Sequence, residues 1–325
     1  MVDRNGKIAV LGASTLEGTR VREALEAARV PAAKVDLFGF ADGDVLVSEY
    51  AGEARMIQEP DPVVVAGHEV LLVCERGDST RRVAEQLRAD QLVIDLVGGL
   101  PEKLGARLLN PRNEVDDAAG FYAVPHPLAL VLSDLLSPVD RGPGVEQCVA
   151  VIVRPAVDYG EAGVEELRQQ TVRLLNFVEL PVDTFGRQLA FNIVPESGLS
   201  CGIPGFEQEI ARQVGVLLGW DRERLTLRFL AAPLFYGHAV ELHIRTPNGT
   251  GLDEMRRALA ENGLEPGEER GPLVSTPMEV ADERTIRLGE LTADGLGGFW
   301  LWAVAGGSNS RAAEFAVRLA QSAVS

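Results

Sequence analysis

A short apolar strand that runs into a glycine-bracketed turn and then a helix restricts the fold of this chain more than any other feature. Lys7–Leu11 reads as a buried strand, and Gly12-Ala13-Ser14-Thr15-Leu16-Glu17-Gly18 follows as the turn. From about Thr19 to Ala28, Val21, Leu25 and Ala28 recur at helical spacing. Such a turn can present helix N-terminal N–H groups to a phosphate, or can simply let helix and strand pack closely where no Cβ intervenes. Both readings stay open. Further β-rich runs lie at Val35–Phe40, Val45–Tyr50, Val70–Cys74 and Leu92–Asp95, and a helix is predicted over Ser79–Ala89 with Ser79 as its N-cap. Strands alternating with helices predict an α/β fold, a Rossmann-like doubly wound parallel sheet with both faces covered.

The pattern changes after about Pro127. Leu128–Leu136 and Glu161–Phe177 read as helices, the latter with Glu and Arg on its outer face. Gln147–Val153, Leu225–Leu230, Ala239–Arg245, Thr285–Leu288 and Phe299–Ala305 read as strands, and Arg311–Ser322 as a closing helix. With 325 residues the chain exceeds what one core usually holds, about 250–300. The second half therefore reads as an α+β domain with one large sheet carrying helices on a single face.

Charge narrows the partners. A net charge of −17 argues against nucleic acid and against an anionic membrane surface, both of which need clustered Lys and Arg. Any phosphate site would need local positive groups. Cys74, Cys148 and Cys201 show no paired spacing, so disulfides and structural zinc are not expected. Cys74 and Cys148 fall in core strands as small hydrophobes, while Cys201 lies in a loop without a base beside it. No apolar run approaches the ~20 residues that span a bilayer, and Met1–Lys7 carries no apolar leader core. A cytoplasmic location is expected.

Several stretches resemble the aspartate-semialdehyde dehydrogenases: Gly12–Gly18, the Gly160–Gln170 segment, Phe185-Gly186-Arg187-Gln188-Leu189-Ala190-Phe191-Asn192-Ile193-Val194-Pro195, and Pro233-Leu234-Phe235-Tyr236-Gly237-His238. The resemblance runs almost end to end and is nearest to the Usg-type homologues, which share that fold without its catalytic cysteine. It implies amino-acid biosynthesis as the setting of the family. It also implies a homodimer, with an NAD(P)-binding-type domain over residues 1–127 joined by a returning helix over 308–325. A catalytic and dimerisation domain would occupy residues 128–307. Pairing with an active paralogue through the same dimer surface is a further implied partner.

In that family a thiolate attacks the aldehyde, hydride leaves to NADP, and phosphate cleaves the thioester. By resemblance the nucleophile position is Pro127, which has no nucleophilic atom. The orienting glutamine position is Arg154, and the substrate-carboxylate arginine, seven residues before the histidine, is Ala231. The phosphate-side arginine falls near Pro101, and Gly205–Ile210 has no lysine where the family has one. The acid/base position alone is kept, as His238, though a histidine in an apolar strand is more often a core residue of a packed corner than a catalyst. His126, beside Pro127, is either a replacement base or a loop histidine before a proline.

The implied cofactor contacts are Gly12, Ser14, Thr15, Gly18 and Gly307. Thr15 stands where the family has its middle glycine, and Glu17 adds a carboxylate to the turn. Glu75 and Arg76 replace a small, glycine-rich segment, and Gly307 occupies the nicotinamide-side asparagine position, with Asn309 close by to compensate in part. The stretch Gly39–Asp44 offers two acids and no cation for a 2′-phosphate, so NAD is possible, NADP is disfavoured, and the chain may bind neither. No metal site is expected. Two functions follow: a pseudoenzyme with a ligand- or partner-binding role, or an NAD-dependent oxidoreductase acting on a carbonyl through His238, with Arg154 anchoring an acidic substrate.

Overall fold

The computed structural model describes residues 6–39, 47–110, 119–247, 249–265, 275–281, 285–306 and 308–324. The chain divides into two compact units, Met1–Pro127 with Asn309–Ser325, and Leu128–Ser308.

The first unit starts with β1 (Ile8–Leu11), α1 (Leu16–Ala27), β2 (Val35–Phe38), β3 (Val47–Tyr50), β4 (Glu53–Met56), α2 (Pro62–Val65) and β5 (Val70–Val73). It continues with α3 (Asp78–Ala84), β6 (Leu92–Asp95), β7 (Arg107–Leu108) and β8 (Gly120–Ala123). Six strands form one sheet in the order β2-β1-β5-β6-β8-β7, every pair parallel. β1, β5 and β6 are buried at every position, because crossovers cover both faces and leave no polar side to alternate with. Two expectations change. Val47–Tyr50 pairs with Glu53–Met56 as a hairpin outside that sheet, and Tyr50 alone of its four side chains is buried. The helix predicted over Ser79–Ala89 is Asp78–Ala84, and its N-cap is Gly77, since the Ser79 hydroxyl donates to Glu75 instead.

The second unit holds α4 (Pro127–Arg141), β9 (Gln147–Arg154), α5 (Gly160–Leu175), β10 (Val194–Pro195), α6 (Phe206–Leu218), β11 (Leu225–Ala231) and β12 (His238–Arg245). α7 (Leu252–Ala260), β13 (Ile286–Ala293) and β14 (Gly298–Ala305) complete it. Its six strands run β10-β11-β9-β12-β14-β13, mixed in direction, with β11 and β9 parallel. Burial alternates along β9 and β11. One face, with Ile152, Phe229, Leu242 and Leu301, builds the core together with α4, α6 and α7. α8 (Ser308–Val324) then supplies Ala313, Ala316 and Val317 to the core of the first unit, where Gln321 Nε2 donates to the carbonyl of Ala28 at 2.9 Å. Among the described residues no helix is long and apolar enough to cross a membrane.

Candidate functional site

Strand order reverses between β1 and β5, and in open parallel sheets ligands bind at the carboxyl ends flanking such a switch. The Gly12–Gly18 turn lies there, and it is closed on itself. The N–H groups of Gly12 and Ala13 both donate to the Phe38 carbonyl, and Thr15 N–H donates to Gly12. Thr15 is the N-cap of α1: its hydroxyl accepts from Gly18 N–H at 3.0 Å. The same oxygen lies 2.8 Å from the Gly12 carbonyl and 2.9 Å from that of Cys74, bridging the ends of β1 and β5. The helix end that would meet a phosphate is thus partly capped by a side chain.

Packing explains both glycines. At Gly18 a Cβ would fall 2.1 Å from the Gly12 carbonyl oxygen. At Gly12, where φ is +85°, it would fall 2.6 Å from Glu75 Cβ. The Glu75 side chain therefore leans on the turn at the switch point. Glu17 pairs with Arg20 at 3.1 Å, and burial raises its pKa above the ordinary carboxylate range against the opposing pull of Arg20. Burial, and then the carboxylates of Glu17, Asp95 and Glu75, push the Cys74 thiol well up. The switch point is a negative region before any ligand arrives. One strand over, Asp95 accepts from the N–H groups of Val97, Gly99 and Leu100 at 2.8–3.0 Å, so this backbone nest is filled by the chain's own carboxylate.

The second centre lies at one end of the mixed sheet. Arg154 ends β9, Ala231 pairs with it across β11, and His238 begins β12, one step beyond the Ala239–Val153 pairing. The sheet register thus brings together three positions chosen from sequence. Arg154 is 5% exposed, and its Nε donates to Asp158 Oδ2 and its Nη1 to Glu196 Oε1, each at 2.8 Å. His238 Nε2 lies 2.9 and 3.1 Å from the two Asp158 oxygens, and Tyr159 O–H donates to Glu196 at 2.7 Å. The guanidinium also lies over Tyr159, Phe206 and Phe229 at 4.8, 5.0 and 5.5 Å.

Burial alone would raise the Asp158 pKa, but His238 and Arg154 outweigh it and hold the carboxyl well below its usual range. Burial works against the Arg154 charge, and Asp158, Tyr159 and Glu196 more than restore it. The expectation that Arg154 stands open to anchor an acidic substrate is not met, because two internal carboxylates already hold its fork.

Asp158, Tyr159 and Glu196 were not picked out by sequence reading, whereas Glu75 was, as a replacement near the cofactor turn. Asp158 had a local signal, four residues after the arginine and just ahead of a helix. Glu196 had none, lying 42 positions from Arg154.

The other positions are simply placed. Pro127 is the first residue of α4, where a fixed φ and a missing N–H suit a helix start. Ser14 is exposed in the turn, and His126 is half-buried ahead of α4. Cys148 is buried, and the half-buried Cys201 has its thiol pushed up chiefly by burial, so neither favours a thiolate. Gly307 and all of Gly39–Asp44 except Gly39 lie outside the described residues, as does the Asn309 side chain. Among the described residues no cluster suits a metal ion.

No family model matches the chain. It is 27% identical to a USG-1 protein homologue of Pseudomonas aeruginosa over 79% of each chain. It is 22% identical to aspartate-semialdehyde dehydrogenase 2 of Vibrio cholerae, covering 97% of this chain and 96% of that one. The crystal structure of aspartate semialdehyde dehydrogenase II from Vibrio cholerae superposes with a TM-score of 0.82 at 22% identity, over 97% of both chains. The aspartate semialdehyde dehydrogenase of Candida albicans, solved with NADP, superposes with a TM-score of 0.64 at 15% identity over 98% of both chains.

Proposed function

We propose that this chain, which has the aspartate-semialdehyde dehydrogenase fold and is related in sequence to the USG-1 protein homologues, is a non-catalytic member of that group. Its role is to bind a ligand or a partner as a homodimer. The observation that carries this reading is the Arg154–Asp158–Glu196–His238 network. The one cation that resemblance places in the old site is buried and held by the chain's own acids. The nucleophile position is Pro127, and no reaction through a thioester can start from proline. Ala231 cannot replace the arginine fork that a carboxylate substrate needs. At the switch point, Thr15, Glu17 and Glu75 stand against close approach of a diphosphate.

The test is turnover of aspartate semialdehyde with phosphate and NAD or NADP, alongside calorimetric titration of each dinucleotide. No turnover is expected. Turnover that His238→Ala abolishes would overturn the reading.

A second reading rests on a different observation. His238 is backed by Asp158 in the manner of a carboxylate-supported acid/base, in which the acid orients the ring and stabilises its protonated form. Direct hydride exchange between a nicotinamide and a carbonyl needs such a group and no thiol. Saturable binding of NAD or NADP would favour it. Absence of heat from both, with the protein folded, would remove it.

A further inference from the structure

The first unit carries a cavity that neither centre described above uses. It has a volume of about 440 Å³, within the range of small-molecule sites, and lies between α3 and the connection from β6 to β7. α3 contributes Arg81 and Ala84, with Glu85 just past its last residue, and the connection contributes Leu100, Pro101 and Lys103. Arg81, Ala84 and Glu85 stand one to two turns down the helix from Asp78, the residue that opens it after β5. The walls are set by the chain itself. The N–H groups of Gly99 and Leu100 donate to the buried Asp95 carboxylate at 3.0 and 2.8 Å. A Cβ on Gly99 would fall 2.5 Å from the Glu75 carbonyl oxygen and 3.3 Å from Thr80 Cγ2, so this loop rests directly on the start of α3. Leu104 N–H donates to the Pro101 carbonyl at 3.1 Å, closing the turn that carries Lys103.

The charges around it are not spent on one another. Neither Glu85 nor Lys103 has an ion pair among the described residues. Arg81 and Glu85 stand at i and i+4, a spacing at which opposite charges pair, yet Arg81 turns back to Asp78 at 3.1 Å. That pair is 73% and 89% exposed, so it holds Arg81 weakly. In a chain of net charge −17, the cavity thus presents two cations and one acid beside an apolar wall of Ala84, Leu100 and Pro101. A plain anion would gain from Arg81 and Lys103 and lose to Glu85. A plain amine would do the reverse. A ligand that carries a carboxylate and an ammonium on one carbon satisfies both signs, and an aliphatic group beside them covers the wall.

We propose that this cavity binds a free α-amino acid with an aliphatic side chain. Arg81 and Lys103 take the carboxylate, Glu85 takes the ammonium, and Ala84, Leu100 and Pro101 take the side chain. The proposal goes beyond the non-catalytic reading and does not depend on it, since none of these six side chains belongs to the glycine turn or to the buried network.

Ligand-observed NMR titration of the full chain with L-leucine tests this, against isocaproate, which lacks the ammonium, and isoamylamine, which lacks the carboxylate. L-Leucine is expected to bind saturably with a Kd at or below about 1 mM, and at least about tenfold more tightly than either analogue. Lys103→Met and Glu85→Gln, both at exposed positions, should each weaken L-leucine about fivefold or more. Glu85→Gln should at the same time strengthen isocaproate, a gain that no loss of folding can produce. Absence of saturable L-leucine binding up to about 10 mM would overturn the proposal. So would binding that both substitutions leave unchanged, or isocaproate binding as tightly as L-leucine, which would reduce the cavity to an unselective anion patch. L-Aspartate binding more tightly than L-leucine would overturn the role given to the apolar wall.

Discussion

At the switch point of the first sheet, the groups that satisfy one another are backbone N–H groups, carbonyls and the Thr15 hydroxyl, with partly exposed carboxylates around them. At the end of the second sheet they are buried charges, with Arg154 between Asp158 and Glu196 and His238 against Asp158. Both places are where a ligand would be sought, and both are occupied from within. The means differ. A capped turn rests on one hydroxyl and the side chains beside it, so single substitutions can test each in turn. A buried ion network holds its charges only as a set, because each member left alone in a low-dielectric site is unsolvated. The first centre therefore bears on whether cofactor binding is lost, and the second on whether the site can be emptied at all.

The largest contrast should come from truncating one residue in each. Arg154→Ala leaves Asp158 and Glu196 buried and facing each other, and removal of one partner from such a pair typically destabilises by about 3–5 kcal/mol. Urea unfolding of the second unit should show a loss of that order. A loss under about 1 kcal/mol would mean that water reaches the network and that the two centres are alike.

Acid should separate them by sign. Asp158 has its pKa lowered in the fold, so its contribution is fully present above the unfolded carboxylate value, about 4, and is lost as the pH falls through the native value. Asp158→Asn should flatten the decline in stability below about pH 4, measured by urea midpoints across the acid range. Glu17 has its pKa raised, so the native state holds its proton more tightly than the unfolded chain does. Its effect runs the other way: stability falls as the pH rises from the unfolded value through the native one. Glu17→Gln should therefore be neutral or stabilising at pH 7. If it destabilises instead, the ion pair with Arg20 outweighs burial.

How much of this was legible in the sequence follows the range of the interactions. The β1 strand, the Gly12–Gly18 turn and the α1 pattern are local, and their periodicity reports them directly. Gln147–Val153 and Phe299–Ala305 too were readable as strands, and burial alternates along β9 because one face is covered. The β8 strand, Gly120–Ala123, was missed because four residues of mixed burial carry no period. Val47–Tyr50 has strand composition, but membership of a sheet is decided by which edge it meets. In the candidate site, His238, Arg154 and Ala231 were found as positions, since resemblance supplies positions. The partners that decide their chemistry were not found. Glu196 reaches Arg154 across 42 residues of chain, and Asp158 reaches His238 across 80, contacts that only the folded register creates.

The smallest expected effect is the most informative about the turn. Thr15→Ala removes a cap and should cost about 1 kcal/mol, while Thr15→Gly, which also permits the N-cap conformation, should cost only a few tenths. If the Thr15 hydroxyl were merely structural, the two variants would differ in stability and agree in failing to bind dinucleotide. If it is what closes the site, Thr15→Gly frees the Gly18 N–H and removes the Cβ from the path of the diphosphate, whereas Thr15→Ala frees the N–H and keeps the Cβ. Titrating both variants with NADP, with and without Glu17→Gln, then sorts the causes. Heat from Thr15→Gly alone would assign the block to side-chain bulk. Heat only when Glu17→Gln is added would assign it to the carboxylate. No heat in any variant would move the block to Glu75, whose side chain rests on Gly12 and is untouched by these changes.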